Sequence, residues 1–244
     1  MRSFMSHLCV ALAAIGATWG LFTALTRYER QQVTCSIDAH TLQGSVPPAS
    51  QLTLKTFDFD SIQGLSKKQL TEHYQLYKGY LDKRNMIVKE LIQTDRADVA
   101  SSYSRFRALK MGETFTLNGV ILHELYFENL KAGTTMGEAT QQLLIEQFGS
   151  LEAFKQDLFD SATCARGWVL TGLCLADGRV YNFVLDAHNQ TVPLMTIPLL
   201  IVDTYEHAYM IDFGINRKAY LNTIWETINW DVIEHRVQSL PRQH

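Results

Sequence analysis

Asp203 and His207 are spaced as a pair that can bind a metal ion. Residues 197–207 (IPLLIVDTYEH) open with a short apolar run that has the length and branching of a buried strand. The run ends on a carboxylate, and an imidazole follows four residues later. A carboxylate leaving a buried strand is costly unless something pairs with it. A cation is the strongest such partner, and an Asp and a His four apart reach one ion when the chain turns helical between them. The same spacing also suits a helix cap, in which Asp203 closes the start of TYEHAYMI and His207 is an ordinary surface residue.

Two further imidazoles lie on apolar helical stripes. Ser66 and Gln69 form a capping box that opens a helix over residues 65–94, where Leu70, His73, Tyr77, Tyr80, Ile87 and Leu91 share a face. A less regular segment follows, residues 95–111. A second helix begins near Asn118 and is stopped by Gly133, with Val120, His123, Phe127 and Leu130 on one face. Each His taken alone reads as a core histidine held by a hydrogen bond. The short segment between the helices suits an antiparallel hairpin. Two inward imidazoles on facing helices are poorly explained as unrelated core residues, and with Asp203 and His207 they make three nitrogens and one carboxylate oxygen.

The rest of the chain supplies the frame. Residues 136–150 and 151–161 read as two helices split at Gly149-Ser150. Residues 167–175 (GWVLTGLCL) and 180–185 (VYNFVL) are strand-like, joined by a turn with Asp177-Gly178 at its centre. A loop over residues 186–196 leads to the third strand at Pro198. The end is helical over residues 205–213, 218–228 and 231–237, with a break at Gly214. Helices, then a small antiparallel sheet, then helices, is an α+β order.

Composition sets the limits. The chain has 244 residues and is 46% hydrophobic and 19% charged, enough to bury a core. A net charge of -3 gives no reason to expect nucleic-acid binding. Residues 1–30 stand apart: Arg2 gives a positive start, residues 8–25 are apolar and uncharged, and Arg27 and Arg30 follow. This is a signal peptide or a membrane anchor, and the lack of a clean small-x-small site favours the anchor. An exported protein is therefore expected, periplasmic or held on the outer face of the cytoplasmic membrane. Residues 31–60, with Gly44, Pro47 and Pro48, read as a linker. Cys9, Cys35, Cys164 and Cys174 contain no C-x-x-C pair, so a thiolate metal site is not expected. Cys164 and Cys174 read as buried thiols, and Cys35 is free to pair between chains in an oxidising compartment.

The residues also carry a resemblance. DTYEHAYMIDF at residues 203–213, with INW at 228–230, resembles the signature of the iron/manganese superoxide dismutases, Asp-x-Trp-Glu-His-Ala-Tyr, with Tyr205 in place of the Trp. HYQLYKGYLDKRN resembles that family's first metal-binding helix, LHELYFENL its second, and GWVLTGLCLADGRV the hairpin that closes the site. The likeness spans residues 65–237.

The resemblance implies that His73, His123, Asp203 and His207 bind one iron or manganese ion per subunit, with superoxide as substrate. Zinc accepts such ligands but cannot change oxidation state. It implies a helical hairpin domain over residues 61–133, an α/β domain with a three-stranded antiparallel sheet over residues 134–240, and a homodimer. Glu206 matches the glutamate that reaches the partner subunit's ligand His, and Tyr209 an interface tyrosine near the funnel to the site. Tyr80 matches the gateway tyrosine. Tyr77 stands where the commonest members have a His, and Phe127, Trp168 and Tyr205 fill aromatic positions around the metal. The family's solvent-orienting glutamine has two sources. One falls here on Gly119 and is absent. The other is the loop DAHNQTVPL, with Gln190 the first candidate and His188 the second. Because several such positions depart, a metal-binding structural or interaction protein without turnover is the alternative.

Overall fold

Ser66 starts the first long helix, and the computed structural model describes the chain from residue 51 to 241. The expected leader, its span at residues 8–25, the linker to residue 50, Cys9 and Cys35 lie outside the described residues. The Ser66 hydroxyl accepts from the Gln69 N–H at 3.0 Å and caps α1, Lys67–Gln93. Only half of the expected capping box forms. The Ser66 N–H donates to the Asp212 carboxylate at 2.6 Å, and the Gln69 side chain points elsewhere.

The second helix, α2, runs Arg105–Glu128 with Ser104 as its N-cap. It begins well before Asn118. Its first half is rich in good helix formers but lacks an apolar stripe, so periodicity alone misses it. It also ends before Gly133. Leu130 leaves the helix to bridge Ile228, and Gly133 takes a positive φ of 77° in the turn beyond. Residues 51–61 pack along this hairpin. The Lys55 N–H donates to Tyr77 Oη at 3.0 Å, the Lys55 ammonium pairs with Glu124 and Glu128, and Phe57 and Phe59 lie against Phe127 and Tyr74.

Two helices follow, α3 (Glu138–Phe148) and α4 (Leu151–Cys164), split as expected at Gly149 and Ser150. The Glu234 carboxylate accepts from the Ala139 and Thr140 N–H groups and so satisfies the positive end of α3. Then come β1 (Trp168–Cys174), β2 (Arg179–Leu185) and β3 (Thr196–Asp203), antiparallel in the order β2-β1-β3. β1 is buried almost throughout because it is central and covered on both faces. Pro198 is tolerated in β3, an edge strand, where the register shifts opposite Thr171 and Gly172.

The expected helix over residues 205–213 is divided. A 3-10 turn, Glu206–Ala208, is separated from α5 (Met210–Phe213) at Tyr209, whose φ is -147°. Helices α6 (Arg217–Glu226) and α7 (Trp230–Gln238) complete the chain. The core runs between hairpin and sheet through Leu70, Tyr126, Trp168 and Ile201. Cys164 is exposed and Cys174 half-buried, since each ends its element, so neither is the buried thiol expected. Among the described residues no helix is long and apolar enough to cross a membrane.

Candidate metal centre

Asp203 is the last residue of β3 and sits opposite Trp168 of β1, fully buried. His73 in α1 and His123 in α2 face each other across the hairpin, ring centroids 5.1 Å apart. The 3-10 turn after β3 brings in His207, 4.8 Å from His73 and 5.9 Å from His123 between centroids. One ligand atom from each of the four lies within 4.8 Å of the others. Asp203 Oδ2 is 3.0 Å from His73 Nε2 and 3.1 Å from His207 Nε2. His207 is the least enclosed, its side chain 27% exposed.

The unpaired atoms test whether these residues fit a metal ion. His123 Nδ1 is 2.6 Å from the Gly119 carbonyl. A carbonyl only accepts, so Nδ1 carries the proton and Nε2 turns a bare lone pair into the cluster. Among the described residues, His73 Nε2 and His123 Nε2 are buried without a directed hydrogen-bond partner. Each such lone pair costs about 1–3 kcal/mol if no donor or cation meets it. Three imidazole nitrogens and one carboxylate oxygen are a donor set that suits iron or manganese, and they fit.

The electrostatics agree. Burial, helped by repulsion from His73, pushes His123 down to about 3. Burial also lowers His73, against the pull of Asp203. Both are neutral, as ligands must be. Burial alone would raise the Asp203 carboxyl, but attraction to His207, the hydrogen bond with it and the adjacent His73 outweigh this and hold it below the usual carboxylate range. Burial works against the charged form of His207 too, and Asp203 more than reverses this, leaving it raised.

His188, not Gln190, is turned into the site. The Trp168 Nε1–H donates to His188 Nδ1 at 2.9 Å. An indole N–H only donates, so the proton of the neutral His188 ring is on Nε2. Burial pushes its pKa down to about 4 and keeps it neutral. Asn118 Nδ2 donates to the His188 carbonyl at 2.8 Å and ties the loop to α2. The His188 ring meets Tyr80 edge-on at 4.7 Å and lies 5.9 Å from His123. Gln190 is exposed. The loop folds back at Thr191, whose hydroxyl accepts from the Asp186 N–H and whose φ is 57°, and this turns position 188 in and position 190 out. At Gly119 a Cβ would lie 2.9 Å from two ring carbons of Tyr80 and 3.4 Å from His188, so those two rings fill the space a side chain there would take.

Tyr80 is half-buried, 5.2 Å from His123, and burial next to Asp203 raises its pKa. Tyr77 is fully buried, donates to Glu124 at 2.8 Å, and is pushed up to about 12, chiefly by burial. Phe127 lies 5.1 Å from His73, Trp168 meets His123 edge-on at 5.0 Å, and Tyr205 stacks on His207 at 5.2 Å. Glu206 is exposed beside the centre. Tyr209 is buried and its hydroxyl accepts from Arg217 Nε at 3.3 Å.

Sequence reasoning missed four residues. Tyr126 lies 5.0 Å from His73, and Tyr220 donates to the Asp203 carbonyl at 2.7 Å. Asn118 and Gln69 act through loop and turn backbones distant in sequence. No local spacing announces such long-range contacts.

Comparison with known proteins gives one family. The sequence profile of the iron/manganese superoxide dismutases, C-terminal domain, matches residues 136–236. An iron superoxide dismutase of Aquifex aeolicus (strain VF5) is 39% identical over 184 residues, which cover 73% of this chain and 86% of that protein. One from Saccharolobus solfataricus is 31% identical over 182 residues, covering 71% and 86%. A manganese superoxide dismutase of Haloferax volcanii is 28% identical over 180 residues, covering 72% and 88%.

Proposed function

The chain belongs to the iron/manganese superoxide dismutases, and from that premise we propose how its residues divide the work. It is an enzyme that turns two superoxide ions and two protons into hydrogen peroxide and dioxygen, with one iron or manganese ion as cofactor. The observation that carries the assignment is the meeting of His73, His123, Asp203 and His207, with His123 Nε2 buried and unpartnered and His73 Nε2 facing only the Asp203 carboxylate.

His73, His123, Asp203 and His207 hold the ion. When bound, the ion supplies the one-electron exchange with superoxide. The Gly119 carbonyl fixes the tautomer of His123, and the Tyr220 hydroxyl on the Asp203 carbonyl steadies the end of β3. Trp168, Phe127, Tyr126 and Tyr205 keep bulk water away. His188, its Nε2–H set by Trp168, takes the place of the glutamine as hydrogen-bond donor beside the centre. Tyr80, half-buried next to it, is the gateway that holds a proton for the nascent peroxide.

A homodimer is supported by the exposed Met210, Ile211 and Ile215 on the same end of the chain as Glu206 and His207. In that reading Glu206 reaches across to the second subunit. Export is supported by the apolar leader at residues 8–25, which suits a signal peptide or an anchor outside the cytoplasmic membrane. The reading is tested by metal analysis and a dismutation assay on protein purified from its native compartment. Iron or manganese with turnover is expected. Redox metal without turnover would favour the non-catalytic alternative, and zinc alone would undermine the enzyme.

A further inference from the structure

We propose that Gln69 is a positioning residue for His207: its side-chain amide occupies both halves of a helical hydrogen bond that the ligand-bearing turn does not make. The proposal rests on the assignment of His207 as a metal ligand.

A continuous helix through residues 206–213 would run a bond from the Ile211 N–H to the His207 carbonyl, four residues back. Both groups turn instead to Gln69. Its Nε2 donates to the His207 carbonyl at 2.6 Å, and its Oε1 accepts from the Ile211 N–H at 3.1 Å. The side-chain amide thus stands in for a peptide group and wedges the helix open. The break falls between these two residues, at Tyr209, where the 3-10 turn stops and α5 begins.

The wedge joins two ligands. Gln69 is fully buried and lies one turn before His73 on the same helix. The Ser66 N–H donates to Asp212 at 2.6 Å, so a second bond ties the start of α1 to α5. The start of α1 and the His207 turn therefore move as one body, with His73 and His207 held at one spacing. His207 needs this more than the other ligands, being the least enclosed. With an apolar side chain at position 69, the turn either closes into a regular helix, rotating the imidazole away from Asp203, or keeps two buried groups unpaired.

The experiment measures metal loss to a chelator and the visible ligand-field spectrum of the full-length, metal-loaded protein. Gln69→Met keeps the shape and removes both hydrogen bonds. Gln69→Asn keeps the amide but is one methylene too short to span both partners. Ser66→Ala is the control, since it weakens the same helix start and leaves the wedge intact. Metal loss from Gln69→Met is expected to be faster by about 10- to 100-fold, with a shifted spectrum. Gln69→Asn should fall between, and Ser66→Ala should match the parent in both readouts even where it melts earlier. Parent-like retention and spectrum in a folded Gln69 variant would overturn the proposal.

Amide hydrogen exchange on the parent protein tests it with no variant. Ile211 should be protected like the middle of α1, and exchange at the rate of an open turn would overturn the wedge. A parent protein that holds no iron or manganese would instead sink the metal-site reading, which keeps the two failures apart.

Discussion

Replacing Trp168 by Phe should release His188 from its single tautomer. The substitution keeps an aromatic ring in a fully buried place and deletes the one N–H that His188 Nδ1 accepts. A buried acceptor left without its donor costs about 1–3 kcal/mol. The smaller ring leaves a void worth about 1 kcal/mol more. For a domain of this size each kcal/mol lowers the melting temperature by about 2–4 °C, so a drop of roughly 5–15 °C is expected. The effect on turnover follows from the proton. In the parent, Trp168 forces it onto Nε2. In the variant, both tautomers become accessible, and superoxide turnover should fall by about 10-fold or more. Nitrogen NMR of the zinc-loaded protein, which is diamagnetic, reads the tautomer directly. A parent His188 protonated on Nδ1, or a variant with the parent's tautomer and turnover, would refute the reasoning.

Three other outcomes follow from the geometry. His207→Ala should abolish metal retention while the fold survives, as metal content and circular dichroism will show, because this side chain is the least enclosed of the four. Gly119→Gln should destabilise by about 1–3 kcal/mol through overpacking, read by thermal melts, and should displace the Tyr80 ring and lower turnover, because a Cβ there already meets that ring at 2.9 Å. The metal-free protein should lose stability as pH falls. His123 binds its proton near pH 6.5 when unfolded but only near about 3 when folded, so its contribution is complete above 6.5 and declines toward 3, by about 1.4 kcal/mol per pH unit. Urea titrations between pH 7 and pH 4 measure the slope, and a flat profile would contradict a buried neutral imidazole.

Much of the fold and centre was legible in the sequence for physical reasons. The four residues stood out on local patterns: His73 and His123 on apolar helical stripes, Asp203 at the end of a buried strand, His207 four residues beyond. Each pattern alone also suited a core histidine or a helix cap, and the family resemblance joined them into one ligand set. The sheet was readable from strand-like apolar runs on either side of Asp177-Gly178. The start of α2 was not, since its first half buries few apolar side chains, chiefly Leu109, and shows no regular stripe. The break at Tyr209 was not, since its cause is Gln69, far away along the chain. The choice between His188 and Gln190 was not, because it depends on the backbone at Thr191 and on an indole from another strand.

The strip of chain ahead of the hairpin sets a limit on how far the front of this protein can be shortened. Lys55 supplies both the backbone donor to Tyr77 and the ammonium that neutralises Glu124 and Glu128, while Phe57 roofs Phe127 next to the ligand His73. A protease that trimmed past Phe57 would uncover an aromatic wall of the centre and take away the ammonium shared by two carboxylates on the helix that carries His123, leaving Glu128 to Arg236 and Glu124 to Tyr77. Any maturation cut that leaves a working enzyme must therefore fall upstream of these anchor points.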